Sequence, residues 1–286
     1  MDMDTRVAIS LFGLDVYWYG IIITFGMIVA TYVAAKEIER LGYNPQILWD
    51  GAIWILALGV LGGRMYHVFS EYNDGTPGWS FYRQHPLEII TGFRSGGLGI
   101  FGGVLGGSIG AVIVAFRNKV PFGIMANAIA PGLLIGQAIG RWGNFANQEL
   151  YGPPTQLPWG IRIADWARVG EYRDLGKYPF ETTLFHPSFL YESLWNLIGF
   201  GLLLWLGRRF KQQLRPWDIF GIYMIWYGMG RAFLESFVRL DASTYGSGPL
   251  PTAVLFGLAF MAAGVVILLV NHIAHHPNNA SAPVSY

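Results

Sequence analysis

The chain contains no cysteine. Disulfides are therefore excluded, as are a thiol nucleophile of its own and any cysteine-ligated metal or cluster. Charge is also scarce. Only 13% of the 286 residues are Asp, Glu, Lys or Arg, against roughly 25% in an ordinary soluble domain. A net charge of +1 says nothing about partners, and no basic groove suggests nucleic acid. The opening residues hold Asp2, Asp4 and Asp15 against a single Arg6, the reverse of a basic leader, so no cleavable signal peptide is expected. There is no convincing internal repeat, which counts against an inverted-repeat transporter.

What the chain has in quantity is apolar sequence: 53% hydrophobic residues and a mean hydropathy of +0.38. A helix needs about 20 mostly apolar residues to span the hydrocarbon of a bilayer. Seven such segments can be read, near 17–36, 50–69, 96–116, 122–142, 188–206, 217–237 and 250–271. The expected fold class is an all-α polytopic membrane protein with seven transmembrane helices. Lys36 and Arg40, Arg117 and Lys119, and Arg208, Arg209, Lys211 and Arg215 follow the first, third and fifth segments. Lysine and arginine in short loops mark the cytoplasmic side, so the amino terminus is expected outside and the carboxyl terminus inside.

The chain reads as a single transmembrane domain, 1–286, with long connections on the outer side. Residues 147–187 are expected to form a small periplasmic or extracellular subdomain between the fourth and fifth helices, with a short hairpin near Trp159–Ile163. The 84–92 stretch reads as a short amphipathic helix at the interface. Residues 275–286 read as a disordered cytoplasmic tail, and His272, His275 and His276 as solvated members of it, with no carboxylate nearby. In the third segment, Gly99, Gly103 and Gly107 form one stripe, and Gly102, Gly106 and Gly110 an adjacent one. Tight helix packing is the favoured reading of this spacing, with room for a bulky lipid or peptide as the alternative.

The polar residues are distributed unevenly. Ionisable groups at bilayer depth are expensive and call for a partner or a function. With the orientation above, Tyr17, Tyr19, Arg64, Arg141, His186, Tyr191, Glu192, Arg231 and Glu235 all fall at the outer ends of their helices. Clustering on one side points to a site opening to the outer leaflet. Arg231 and Glu235 share a helical face and can pair; a purely structural salt bridge stands beside a functional one. Arg64 and Arg141 have no acidic neighbour on their own helices, so their partners must come from elsewhere. Several arginines in one cavity suit an anion, because the guanidinium fork donates two parallel hydrogen bonds to phosphate. Glu149, Glu192 and Glu235 are then available to steady the arginines or to take a proton. His186 reads equally as a hydrogen-bonded loop residue or a catalytic one.

Arg141-Trp-Gly-Asn144-Phe-x-Asn147-x-Glu149-x-Tyr151-Gly152 resembles the signature of the bacterial prolipoprotein diacylglyceryl transferase family. The resemblance runs the length of the chain: Tyr17-Trp-Tyr19-Gly20, Gly62-Gly63-Arg64, Gly96-Gly97-Leu98, His186-Pro187-Ser188-x-x-Tyr191-Glu192 and Tyr227-Gly228-x-x-Arg231-x-x-x-Glu235 follow in order. It implies transfer of an sn-1,2-diacylglyceryl group from phosphatidylglycerol to the lipobox cysteine thiol of a preprolipoprotein signal peptide, releasing glycerol 1-phosphate. It also implies the bacterial inner membrane, lipids as surroundings, and no cofactor or metal. By resemblance, Arg141 and Arg231 hold the phosphate, Asn144 and Glu149 order the glycerol head and Arg141, Glu235 positions Arg231, and Tyr19 lines the site. Gly152 allows close backbone approach, and Arg64, Tyr191 and Glu192 complete the lipid site.

Two positions depart from the family pattern. Phe101 stands where many members carry a histidine considered as the thiol's base, and Asn127 where many carry aspartate. The base is then left open among His186, Glu149, Glu235 and the field of the arginines. Asn127 is expected to pack, with Gln137 sharing its hydrogen bonds. Two rival readings use the same arginines. An anion transporter would need polar residues continuing into the inner halves of the helices, and the third, fifth and seventh segments are nearly all apolar there. A transferase of nucleotide-linked lipid phosphates would need clustered aspartates for magnesium, and the apolar segments hold no Asp-x-x-Asp.

Overall fold

The computed structural model describes residues 6–11, 14–70, 76–92, 97–238 and 252–273. Gly96 and the expected tail, with His275 and His276, lie outside the described residues. Among the described residues seven long helices dominate: α1 (Trp18–Arg40), α2 (Gln46–Phe69), α5 (Ile100–Arg117), α6 (Phe122–Asn147), α7 (Ser188–Arg209), α8 (Asp218–Val238) and α9 (Thr252–Ile273). Helices satisfy their own backbone polar groups, which is what hydrocarbon demands of a spanning segment. Six of them are long and apolar enough to cross a membrane; the seventh, α8, carries Asp218, Arg231 and Glu235. The chain is thus mostly helical and built as a multi-pass membrane protein.

Several boundaries differ from the hydropathy reading. Helix α1 runs on to Arg40, α2 begins at Gln46, and α6 continues past 142 to Asn147. In each case polar residues end the apolar run without ending the helix. The 84–92 stretch forms a single turn, α4 (Glu88–Thr91), preceded by another, α3 (Trp79–Tyr82). The amino-terminal residues add an unforeseen antiparallel hairpin, β1 (Val7–Leu11) with β2 (Leu14–Tyr17). Ile9-Ser10-Leu11 and Leu14-Asp15-Val16 alternate apolar and polar residues, a strand signal too short to stand out in the sequence.

The described residues divide into two compact units, one of residues up to Ala34 with those from Ala126 onward, the other Ala35–Met125. In the second unit, α2 and α5 pack through glycine. A methyl on Gly62 would meet the Gly102 carbonyl, and one on Gly106 the Leu58 carbonyl. The Gly102, Gly106 and Gly110 stripe therefore serves close helix approach. In the first unit, Ala130 and Leu134 of α6, Leu203 of α7, and Ile219, Tyr223 and Met224 of α8 form a buried core.

The 148–187 segment carries its own small core of Tyr151, Ile163 and Phe185. The expected hairpin at Trp159–Ile163 is absent. Instead β3 (Pro154–Thr155) pairs antiparallel with β4 (Leu184–Phe185), and Ile161 bridges Phe185 through two backbone hydrogen bonds of 2.9 and 2.8 Å. The local turn lost to a partner more than twenty residues away because Phe185, fully buried, anchors the core there. Arg168 is also fully buried, its Nε donating to the Ile163 carbonyl at 3.0 Å and its Nη1 to that of Tyr178 at 2.5 Å. On the exposed rim, Lys177 donates to Glu171 at 2.7 Å and holds that carboxyl below its usual range.

Candidate active site

The site grows from the end of α6. Arg141 and Asn144 are three apart, so they share a helical face, and Arg141 Nη1 donates to Asn144 Oδ1 at 3.2 Å. The helix ends with Gln148 in the left-handed region at φ 53°, and Leu150 follows at φ 56°. Such angles are uncommon outside glycine and cluster at functional sites. They fold the chain back, so the Glu149 amide reaches the Asn144 carbonyl at 3.0 Å. Glu149 Oε1 then accepts from Asn144 Nδ2 at 2.8 Å and Asn147 Nδ2 at 3.3 Å. The Gln148 side chain fastens this turn by accepting from the Ala164 amide at 2.7 Å. On the same stretch, Gly143 leaves room for the Tyr19 ring. A Cβ there would lie 2.9 Å from a ring carbon.

Two further helices complete the cluster. Arg141 Nη2 of α6 lies 2.5 Å from Glu192 Oε2 of α7, and Arg231 Nη1 of α8 lies 3.8 Å from that same oxygen. Three helices thus meet at one carboxylate. Glu192 is 5% exposed, and a buried carboxylate needs such partners. Its Oε1 is buried and makes no hydrogen bond among the described residues. Beside this cluster is a cavity of about 260 Å³, lined by Asn144 and Glu149 from the end of α6 and by Tyr151, Ile161 and Arg162 beyond it.

His186 stands in a separate arrangement. Its Nδ1 is 3.0 Å from Tyr191 Oη, which also accepts from Trp159 Nε1 at 2.8 Å. The His186 carbonyl accepts from the buried Gly152 amide at 2.9 Å.

The structure therefore brings together Arg141, Asn144, Glu149, Glu192 and Arg231, with Tyr19 against Gly143. Arg64 belongs to the other unit. It is 2% exposed there and donates to the carbonyls of Ile89 at 2.9 Å and Glu88 at 2.6 Å. Phe101, in that same unit, packs its ring 5.7 Å from that of Tyr66. The Glu235 side chain lies outside the described residues, although its backbone is part of α8. Sequence reasoning missed the wall residue Arg162 and the role of Gly143, since both depend on contacts distant in the chain.

Asn127 and Gln137 act separately. Asn127 donates to the Arg215 carbonyl at 2.9 Å and accepts from the Phe220 amide at 3.1 Å, whereas Gln137 donates to Tyr223 Oη at 3.1 Å. His272 also differs from expectation. It belongs to α9, and its Nε2 is 2.9 Å from the buried Asp218 carboxylate. Asp218 is the first residue of α8, 54 positions away and out of view of any local reading.

Comparison with known proteins decides the family. The model of the prolipoprotein diacylglyceryl transferase family matches residues 6–270. The chain belongs to this family. It is 38% identical over 281 residues to the phosphatidylglycerol–prolipoprotein diacylglyceryl transferase of Chloroflexus aggregans, covering 93% of this chain and 89% of that one. A relative of the same name from Leifsonia xyli is 39% identical over 262 residues, covering 90% and 75%. One from Bacillus cereus is 38% identical over 267 residues, covering 93% and 91%. The family match spans both units, so the Arg141, Glu192 and Arg231 cluster and the Arg64 cluster both lie within it.

Proposed function

We propose that this family member is a phosphatidylglycerol–prolipoprotein diacylglyceryl transferase. It moves the sn-1,2-diacylglyceryl group of phosphatidylglycerol onto the lipobox cysteine thiol of a preprolipoprotein, the first step of lipoprotein maturation. The observation that carries this reading is the pair of arginines, Arg141 and Arg231, converging on one carboxylate oxygen from two helices. Two guanidinium groups that gather one buried anion can gather another, and the lipid substrate brings a phosphodiester.

In the reaction, the sulfur attacks the glyceryl carbon that bears the phosphate. The sulfur–carbon bond forms as the carbon–oxygen bond breaks, and that bond's electron pair leaves on the phosphate oxygen. Charge therefore builds where Arg141 and Arg231 can reach it. Donors fixed before the reaction stabilise developing charge without reorganising, and only interactions stronger in the transition state speed the chemical step. Asn144 and Glu149 order Arg141 and face the cavity that would take the glycerol head. Tyr19 lines the site, Tyr191 and His186 support its edge through Gly152, and Glu235 positions Arg231 one helical turn away. Arg64 shapes its own unit through the carbonyls of Glu88 and Ile89.

The distribution of basic loops supports seven spans, an external amino terminus, a cytoplasmic carboxyl terminus and a site on the outer leaflet of the inner membrane. The 147–187 insertion is then an external head. Both substrates fit this placement, because the signal peptide presents its cysteine at the outer face and the lipid enters from the bilayer.

The test is to incubate the purified protein with phosphatidylglycerol vesicles and a lipobox peptide. The expected result is a peptide carrying one diacylglyceryl group, with glycerol 1-phosphate released in equal amount. Arg141→Ala and Arg231→Ala should each lower both products by about 100-fold or more. Solute flux without a lipidated peptide would reject the reading.

A further inference from the structure

Glu192 carries an unusual combination of features. Its Oε2 is approached by both Arg141 and Arg231, while its Oε1 is buried with no hydrogen bond among the described residues. Buried polar atoms are nearly always paired, and an exception at a site calls for an explanation. Two other candidate acceptors each have one polar atom engaged. Glu149 Oε1 accepts from two amides, and His186 Nδ1 is engaged with Tyr191 Oη, which Trp159 also holds. Phe101, on the glycine-rich helix, has no proton-accepting atom.

We infer that Glu192 is the proton acceptor for the substrate thiol, brought into action when the lipid phosphate takes its place on Arg141 and Arg231. The inference rests on the transferase reading above. The exchange conserves charge, because one anion replaces another between the same two guanidinium groups. A planar fork binds phosphate at least as well as carboxylate. Among the described residues, Arg141 of α6 and Arg231 of α8 are the charged groups that face Glu192. Once phosphate neutralises them, the carboxylate is left in a buried site without a counter-ion. Both of its oxygens are then free of the arginines and open to the thiol proton.

The step balances. The thiol proton passes to Glu192, the sulfur–carbon bond forms, and the carbon–oxygen electron pair departs on phosphate. Glu192 then returns the proton to the leaving phosphate, regains its charge and closes again on the arginines. The carboxylate that displaces the product is thus the one the lipid displaced. Lipid binding and thiol activation become a single event, and a thiolate does not form in an empty site.

The experiment compares two acceptor peptides, one with cysteine and one with selenocysteine, on wild-type protein and Glu192→Gln in phosphatidylglycerol vesicles. A selenol ionises far more readily than a thiol and needs no base. The expected result is a loss of about 100-fold or more with cysteine in the variant, and transfer to selenocysteine within about tenfold of wild type. Undiminished cysteine transfer in the variant would overturn the inference, and so would equal loss with both peptides. If Glu192→Gln cannot be purified, Glu192→Asp decides by the same comparison: a deficit confined to cysteine supports the base, and a deficit shared by both peptides overturns it. Failure of wild type to modify either peptide would instead sink the transferase reading itself.

Discussion

Trp195 of α7 and Trp226 of α8 stack with ring centroids 4.4 Å apart, and each indole donates to the other residue's backbone carbonyl, at 3.2 and 3.1 Å. Gly230 lies under the Trp195 ring and Gly199 under that of Trp226, where a methyl group would collide. Trp195 is one turn beyond Glu192, and Gly230 is next to Arg231. The paired indoles therefore set the register of the two helices that bring this carboxylate and this arginine together. Trp195→Ala should cost about 3 kcal/mol of stability. It should also depress transfer beyond what the loss of folded protein explains, since misplacement by about 1 Å can cost about 100-fold. Trp205, 55% exposed, is the control, and Trp205→Ala should change stability by less than about 0.5 kcal/mol. Thermal unfolding and transfer rates on the same samples separate the two effects.

Asn127 needs both ends of its amide. It donates to the Arg215 carbonyl and accepts from the Phe220 amide, one of the first free amides of α8. An ionised aspartate could keep the second bond but not the first, which explains the amide in this chain. Asn127→Asp should lower stability by about 1–3 kcal/mol through the unpaired carbonyl. It should leave the rate per folded molecule unchanged. Thermal midpoints measured beside specific activity check both parts.

Arg168 has no carboxylate within salt-bridge reach among the described residues, yet it is fully buried. Its guanidinium holds two carbonyls and lies 5.4 Å from the Phe185 ring centroid. Arg168→Ala would strand both carbonyls, at about 1–3 kcal/mol each. Arg168→Lys would not restore them, because an ammonium lacks the planar fork. Limited proteolysis should show faster cleavage between 156 and 181 in both variants, with helix content unchanged by circular dichroism.

The long helices and the arginine-rich outer ends could be read from the residues because bilayer energetics write themselves locally: runs of apolar residues, and charge that must be explained. Arg141, Asn144 and Glu149 were legible together because one helix end and its cap carry all three. What stayed hidden depends on distance along the chain. Nothing near His272 foretells Asp218, and nothing near Trp159 foretells that Ile161 pairs with Phe185 instead of closing a hairpin. The Trp195–Trp226 stack and the Tyr19 ring over Gly143 are likewise tertiary. Arg64 likewise donates to the carbonyls of Glu88 and Ile89, 24 and 25 positions on, partners that no local spacing announces.

The claim on which everything turns is that Arg141 and Arg231 act on one anion. A double-mutant cycle on the transfer rate tests it most directly. Residues that act as a unit are strongly non-additive, so each alanine variant should lose about 100-fold or more and the double variant no more than about tenfold beyond the worse single. Losses that simply multiply would contradict a shared phosphate and place the two arginines in separate roles.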